Sequence, residues 1–140
     1  MTRVDFFFNV ENKPQKLADL AEKILAKGRQ LYVYEPENQT AQLLDDFLWV
    51  ASATSFIAHE LNTNQNAPVL IATHAINLQH DDVMVNFAAE VPVFFSRFLR
   101  VIEMVGLEEV DKIAARKRFK FYRDQGYEIK TLDTTGLALS

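Results

Sequence analysis

Cysteine is absent from this sequence of 140 residues, and its absence removes several kinds of chemistry at once. Disulfides, thiolate nucleophiles, zinc–thiolate sites and iron–sulfur clusters all require cysteine, so none of them is available. No apolar run approaches the roughly 18 residues that a membrane-spanning helix needs. The segment MTRVDFFFNVEN has too short an apolar run for a signal peptide. These features predict a cytoplasmic protein that does not bind membranes.

Glycine is scarce as well, and this limits nucleotide binding. The four glycines lie at positions 28, 106, 126 and 136, far from one another, so neither GxxxxGK[ST] nor GxGxxG is present. The turn VENKPQ, after the first β-rich run, lacks the glycines that let a backbone approach a pyrophosphate. The sequence therefore predicts no cofactor. A nucleotide-binding α/β enzyme with an unusual site remains the competing interpretation.

No set of side chains forms a recognisable catalytic or metal site. The spacing of the histidines at 59, 74 and 80 from Asp81 and Asp82 matches no known metal centre. None of the serines at 52, 55 and 96 lies in a GxSxG motif. His59 follows an aromatic segment, and we expect it to be a hydrogen-bonded structural residue. The sequence predicts a binding protein with no metal and no catalytic site.

Composition and charge indicate one globular domain. The apolar fraction is 49%, and the chain is long enough to bury a core, so we expect a single domain over residues 1–140 with a loose tail at its last few residues. The net charge of −4 argues against a general nucleic-acid binder, which is normally basic. Any electrostatic binding must therefore be local.

The first fifty residues alternate between β-like and helical patterns. Val4–Val10 predicts a strand covered on both faces, and Asn12 and Pro14 predict the start of a helix that ends at Gly28. A second β-like run and a second helix follow, at 31–34 and 41–48. Such a β-α-β-α pattern predicts a parallel sheet with right-handed crossovers.

The remainder of the chain predicts more strands and one further helix. The residues 88–97 are ambiguous, and the expected strands are a short one near Phe56, then 68–72, 83–87, 98–105 and an edge strand at 129–132. We expect a single three-layer α/β/α domain with a mostly parallel, mixed sheet. It would be Rossmann-like but without a nucleotide-binding loop.

The predicted helix Glu108–Tyr127 carries a row of cations in an otherwise acidic protein. At about 100° per residue, four of them fall within roughly a quarter of the circumference: Lys112, Arg116, Lys120 and Arg123. Ile113 and Phe119 flank this stripe. Such a surface could hold a short peptide ending in a hydrophobic residue and a carboxylate, or phosphates, or single-stranded DNA. It could also be simply a solvated face.

The opposite side of this helix is apolar and is expected to dock on the core, through Leu107, Val110, Ala114, Phe121 and Tyr122. Arg118 points toward that side, which predicts a structural ion pair. Aromatic residues elsewhere, at Trp49, Phe56 and the group Phe94, Phe95 and Phe98, belong either to the core or to an exposed patch that anchors a partner.

Several segments, in order along nearly the whole chain, resemble the chi subunit of bacterial DNA polymerase III holoenzyme. They are DFFFNV, AKGRQLYVY, LDDFLW followed by SFIAHEL, APVLIA, DDVMVNFAAEVPVFFSRFLRVIEMV and ARKRFKFYRDQGYEI. The resemblance implies a non-catalytic accessory subunit of the clamp loader in DNA replication. Proteins of this family pair with the psi subunit and bind the acidic C-terminal tail of single-stranded-DNA-binding protein, so DNA is contacted only indirectly.

The resemblance also assigns residues to the tail site. That tail ends in aspartates, a proline and a phenylalanine with a free carboxylate. Lys112 and Arg116 match the basic residues of the family's tail site, and Phe119 matches the neighbouring aromatic. Arg116 would pair with the terminal carboxylate and Lys112 with the aspartates. Lys120 and Arg123 are additional candidates.

For the psi surface, the resemblance points to Trp49 and Phe56, which match exposed aromatic positions of the family. The sequence departs from the family here. Many relatives have Phe-x-Pro-His, whereas this chain has Phe56-Ile57-Ala58-His59 and lacks the proline. The detail of this surface therefore stays open.

Overall fold

The computed structural model describes residues 2–51, 59–62, 67–76 and 81–134. Within these ranges the chain forms seven strands and three α-helices, with a 3₁₀ turn at Phe95–Arg97. The order is β1 (Arg3–Phe8), α1 (Lys13–Ala26), β2 (Leu31–Tyr34), α2 (Asn38–Ala51), β3 (His59–Leu61), β4 (Val69–Ala72), β5 (Val83–Asn86), β6 (Arg100–Met104), α3 (Glu109–Asp124) and β7 (Glu128–Asp133).

The strands form one sheet in the order β3-β4-β2-β5-β6-β1-β7, and all neighbours are parallel. The α/β class is therefore confirmed, but the expected mixture of strand directions was wrong. The edge strand β7 is parallel because α3 returns the chain to the amino end of the sheet before β7 begins. In the register, Val4 of β1 lies opposite Val101 of β6 and Ile129 of β7.

Side chains alternate between two cores, one on each face of the sheet. Phe7 packs beneath α1 and α2, whereas Val4 and Phe6 pack toward α3 and the 3₁₀ turn. The run of phenylalanines in β1 thus serves both faces, as the sequence predicted. Phe94, Phe95 and Phe98 are all buried in the second core. Of the two roles considered for them, core and exposed patch, the core is therefore the right one.

The start and end of α1 follow the sequence signals. The Asn12 side chain accepts a hydrogen bond from the Gln15 N–H at 3.0 Å, and Pro14 lies in the first turn. Gly28 has a φ of +72°, a conformation that favours glycine, and it lies just after the helix. Leu17, Leu20 and Ile24 are buried at helical spacing.

The buried face of α3 differs from the one expected. The helix packs through Ala115, Arg118 and Tyr122, whereas Leu107, Val110 and Phe121 are exposed. Only Tyr122 of the expected apolar set is buried, with Ala114 half-buried. Arg118 lies on the docking side as expected, but the apolar residues alone did not indicate the buried stripe, because its centre is this charged residue and not a hydrophobic one.

Five further expectations concern particular segments. The edge strand expected at 129–132 is present as β7, and the polar turn expected at 73–82 holds no strand in its described part. The ambiguous residues 88–97 form a loop that ends in the 3₁₀ turn. The strand expected near Phe56 and the loose tail after 134 lie outside the described residues.

Candidate protein-binding site

A groove lies at the carboxyl ends of β1 and β6, beside the first half of α3. Its volume is about 410 Å³.

 

The walls of the groove come from the three neighbouring strands or the residues just after them, and from one face of α3. The lining residues are Phe6, Phe8, Asn9, Val105, Gly106, Lys112, Ala115, Arg116, Phe119 and Thr131. The carboxyl ends of parallel strands are where α/β sheets commonly bind ligands. The position of the groove is therefore typical of a binding site.

Three of the five residues predicted for the tail site line this groove together. Lys112, Arg116 and Phe119 follow one another along one face of α3. Lys120 and Arg123 do not line it, and Arg123 Nε lies 3.4 Å from Asp124 Oδ1. The groove therefore contains fewer of the predicted residues than the stripe suggested. The binding roles of all five residues stay predictions.

The groove combines an apolar floor with a cationic rim. Phe6, Val105 and Ala115 are buried, and the Phe119 ring packs edge-on against Phe6 with 5.3 Å between centroids. At the rim, Arg116 Nη1 lies 3.7 Å from Glu109 Oε1, and both side chains are about two-thirds exposed. Such an exposed pair contributes little to stability. Arg116 can therefore exchange this partner for a carboxylate in the groove.

An ion pair fixes the beginning of α3 beside the groove. Asp111 Oδ2 accepts a hydrogen bond from the Gly106 N–H at 2.6 Å and lies 2.8 Å from Lys13 Nζ in the first turn of α1. Burial disfavours ionisation of Asp111, but these hydrogen bonds and the charge of Lys13 outweigh it. The pKa of Asp111 therefore lies below its ordinary value.

The Asp111→Asn variant should lose about 1 kcal/mol of the free energy of unfolding at neutral pH. Because the folded-state pKa of Asp111 is depressed, its contribution is present above the ordinary carboxyl pKa and is lost as the pH falls through the folded-state value. The gap between wild type and variant should therefore shrink below about pH 4. Urea titrations over a pH series would measure it. A gap of constant size would rule out ionisation of Asp111 as its cause.

A buried polar network holds α3 on the sheet. Glu103 of β6 is fully buried, and its Oε1 lies 2.8 Å from Arg118 Nε. Its Oε2 accepts hydrogen bonds from Tyr122 Oη at 2.7 Å and from Asn86 Nδ2 at 2.9 Å. Arg118 Nη1 also donates to the Ala89 carbonyl at 3.1 Å. Burial raises the pKa of Glu103, while Arg118 and the hydrogen bonds oppose this rise.

The sequence predicted the structural ion pair of Arg118 but not its partner. The signal for Glu103 was a single acid inside the apolar run VIEMV. In a strand covered on both faces, such an acid must meet a cation or donors. The network matters for the site because Arg118 lies on the same helix as the groove residues Lys112, Arg116 and Phe119.

Trp49 lies near the edge of the sheet opposite to the groove beside α3. Its side chain is 54% exposed on α2, and its ring centroid is 4.4 Å from that of His59 in β3. His59 is buried and its Nε2 lies 3.2 Å from Asp45 Oδ1, so the structural role expected for it is confirmed. Val50 beside Trp49 is also exposed. Phe56, the second residue predicted for the psi surface, lies outside the described residues.

Among the described residues, no group of three histidines, aspartates or glutamates is arranged to hold a metal ion. In the same part of the chain, no helix has both the length and the apolar character that crossing a membrane requires.

The fold and the groove define a class of protein: a small, all-parallel α/β domain of Rossmann-like architecture with a cationic and aromatic groove at one edge of its sheet. The family model described as DNA polymerase III chi subunit, HolC, matches residues 1–130. The chain belongs to this family, and the resemblance noted from its sequence is confirmed. Members of the family are subunits of DNA polymerase III and take part in DNA replication.

Individual relatives agree with this assignment. The DNA polymerase III subunit chi of Pseudomonas aeruginosa is 36% identical over 135 residues, which span 93% of this chain and 95% of that protein. The subunit chi of Escherichia coli is 28% identical and spans 93% of this chain and 89% of its own. The C-terminal domain of Saccharomyces cerevisiae Dbp5 has a TM-score of 0.61 at 13% identity, covering 94% of this chain and 90% of that one. That likeness shows the fold alone.

Proposed function

We propose that this chain is a non-catalytic, cytoplasmic accessory subunit of DNA polymerase III that bridges the psi subunit and the acidic C-terminal tail of single-stranded-DNA-binding protein. The observation that carries the proposal is the groove in which Lys112 and Arg116 stand over an apolar floor beside Phe119. A tail ending in aspartates and a C-terminal phenylalanine needs cations and an apolar recess within a few ångströms of each other.

In this arrangement each part of the tail has a matching group. The terminal phenylalanine enters the apolar floor and packs against Phe119, and its carboxylate pairs with Arg116. Lys112 then faces the aspartates that precede it. A charge-assisted pair contributes about 1.5–3 kcal/mol, so two such pairs and one buried ring support micromolar binding that weakens with salt.

The accessory role is also supported by the crevice where a nucleotide would bind. This crevice lies at the carboxyl ends of β1, β5 and β6, and Glu11, Glu108 and Asp111 line it. Carboxylates at this position repel phosphates, and Lys13 is already paired with Asp111. This crevice therefore does not support the alternative of a nucleotide-binding enzyme.

Calorimetric titration with a nine-residue peptide, copied from the C-terminus of the organism's own single-stranded-DNA-binding protein, tests the proposed function. We expect saturable binding in the micromolar range that weakens as salt rises. A peptide lacking the terminal phenylalanine, and one with an amidated C-terminus, should each bind at least about tenfold more weakly. Equal affinity for all three peptides would contradict the proposed recognition.

For the psi surface, the Trp49→Ala variant should bind psi more weakly and leave tail binding unchanged. Trp49 is half-exposed at the β3 edge, whereas the tail groove lies beside β1 and β7. Co-purification with psi and the same peptide titration would measure the two effects. Loss of both activities would indicate that Trp49 supports the fold through its contact with His59 rather than binding psi.

A further inference from the structure

A second cationic groove lies at the opposite end of the strands, on the face covered by α1. It runs past the amino ends of β1, β5 and β6 and has a volume of about 760 Å³. Six cationic residues line it: Arg3, Lys16, Lys23, Lys27, Arg29 and Arg100. We refer to it as the α1 groove. It shares no lining residue with the groove beside α3.

The charge of the α1 groove is only partly compensated. Two carboxylates, Asp82 and Glu128, line it, and Arg29 Nη1 lies 2.8 Å from Asp82 Oδ1. Arg100 is paired below the surface with Asp5. Among the described residues, Lys16 and Lys23 of α1 and Lys27 directly after it form no ion pair within 4.0 Å. In a chain with a net charge of −4, this is a concentrated local excess of positive charge.

The three lysines form a straight row. Lys16, Lys23 and Lys27 are separated by seven and four residues, so at 100° per residue they lie within about 40° of one another on α1. The row is about 16 Å long. Lys16 Nζ lies 4.7 Å from the centre of the Phe7 ring. Burial and the nearby charge of Lys23 lower the pKa of Lys16, which an anion in the groove would reverse.

We propose that the α1 groove binds the phosphodiester backbone of DNA. A row of cations matches a polymer with regularly spaced, permanently ionised phosphates. Phe7 is the only aromatic residue that lines the groove, and it is buried under Lys16, so no described ring is available for stacking on bases. Contact would therefore be with the backbone, without preference for sequence, and at least as tight for duplex as for single strands.

An acidic peptide is the other polyanion to consider, and the observations favour DNA. The groove beside α3 pairs two cations with an apolar recess, whereas six cations line the α1 groove. The chain also belongs to a family of DNA polymerase subunits. The family resemblance had implied only indirect contact with DNA, and the overall charge of the chain is negative. Weak backbone binding becomes effective when the polymerase assembly holds the subunit near DNA.

Fluorescence anisotropy with labelled 20-mer DNA, duplex and single-stranded, tests the proposal on the full chain. We expect binding at about 50 mM salt that fades by about 200 mM. The Lys23→Gln/Lys27→Gln variant should bind duplex about tenfold or more weakly, and its salt slope should be smaller by about 1.8. The control variant Arg97→Gln/Lys117→Gln removes two charges on the other face and should bind like wild type.

Three outcomes would overturn the proposal. The first is that the wild type does not bind DNA at about 50 mM salt. The second is an equal loss in both double variants, which would mean that only total charge matters. The third is that an acidic peptide of equal charge, but not DNA, binds the α1 groove, which would identify a protein partner. Titration of the Lys23→Gln/Lys27→Gln variant with the tail peptide should give wild-type affinity. The DNA-binding proposal can therefore fail while the proposed tail-binding function holds, and the reverse.

Discussion

Replacing Arg118 by alanine should lower the free energy of unfolding by about 3–5 kcal/mol. The change leaves the carboxylate of Glu103 buried without its cation, while Tyr122 and Asn86 still donate to it. It also removes the donor to the Ala89 carbonyl. Urea unfolding followed by circular dichroism would measure the loss.

Two comparisons make this prediction specific. Lys117→Ala removes an exposed cation from the adjacent position of α3 and should change stability by less than about 0.5 kcal/mol. Tyr122→Phe removes one hydrogen bond while keeping the ring, and should cost about 1 kcal/mol. A loss for Arg118→Ala no larger than that for Lys117→Ala would show that Glu103 does not depend on this ion pair.

The double variant Glu103→Leu/Arg118→Met should recover much of the lost stability. A buried ion pair replaced by apolar groups of similar volume is often neutral or stabilising, because neither charge then needs to be desolvated. The two changes together would cost less than Arg118→Ala alone. A double variant that is less stable than Arg118→Ala would show that the network's hydrogen bonds, and not its charges, hold α3 in place.

Arg116→Ala should weaken binding of the tail peptide by about tenfold to a hundredfold, with little change in stability. Arg116 is largely exposed, and its weak pair with Glu109 is its only described ion pair, so the fold does not depend on it. The lost charge-assisted pair with the terminal carboxylate accounts for the expected loss, about 1.5–3 kcal/mol. Calorimetry with the nine-residue peptide would measure the affinity.

The neighbouring cations provide graded controls for this experiment. Lys112→Ala should also weaken peptide binding, since Lys112 lines the groove. Lys120→Ala and Arg123→Ala should have smaller effects, because neither residue lines it, and Lys117→Ala should have none. If Lys117→Ala weakened binding as much as Arg116→Ala, the peptide would be responding to the charge of α3 as a whole.

The sequence predicted the elements of this fold better than their faces. Strands with strong β-forming runs, such as Val83–Asn86, and helices with a clear cap, such as α1, were recognised because their signals are local. The strand β3 has only three residues, and its place beside β4 depends on pairing distant in sequence. Its pattern is too short to be distinguished from a loop.

In the candidate site, too, local features were predictable and features that depend on distant residues were not. Lys112, Arg116 and Phe119 could be placed on one face of α3 from their spacing alone. Which of the five predicted residues share a groove depends on Phe6 of β1, Val105 just after β6 and Thr131 of β7, which are far apart in sequence. The buried face of α3 was misjudged for a related reason. Glu103 permits Arg118 to be buried, and that partner lies 15 residues away in a neighbouring element.

The width of the sheet sets a fixed distance between the two proposed partners. Trp49 contacts His59 in the edge strand β3, and the tail groove is built on the last strands at the other edge. Neighbouring strands are about 4.8 Å apart, so five to six spacings separate the two surfaces by about 24–29 Å. The domain would then act as a rigid spacer, and occupancy of one end would leave the affinity of the other unchanged.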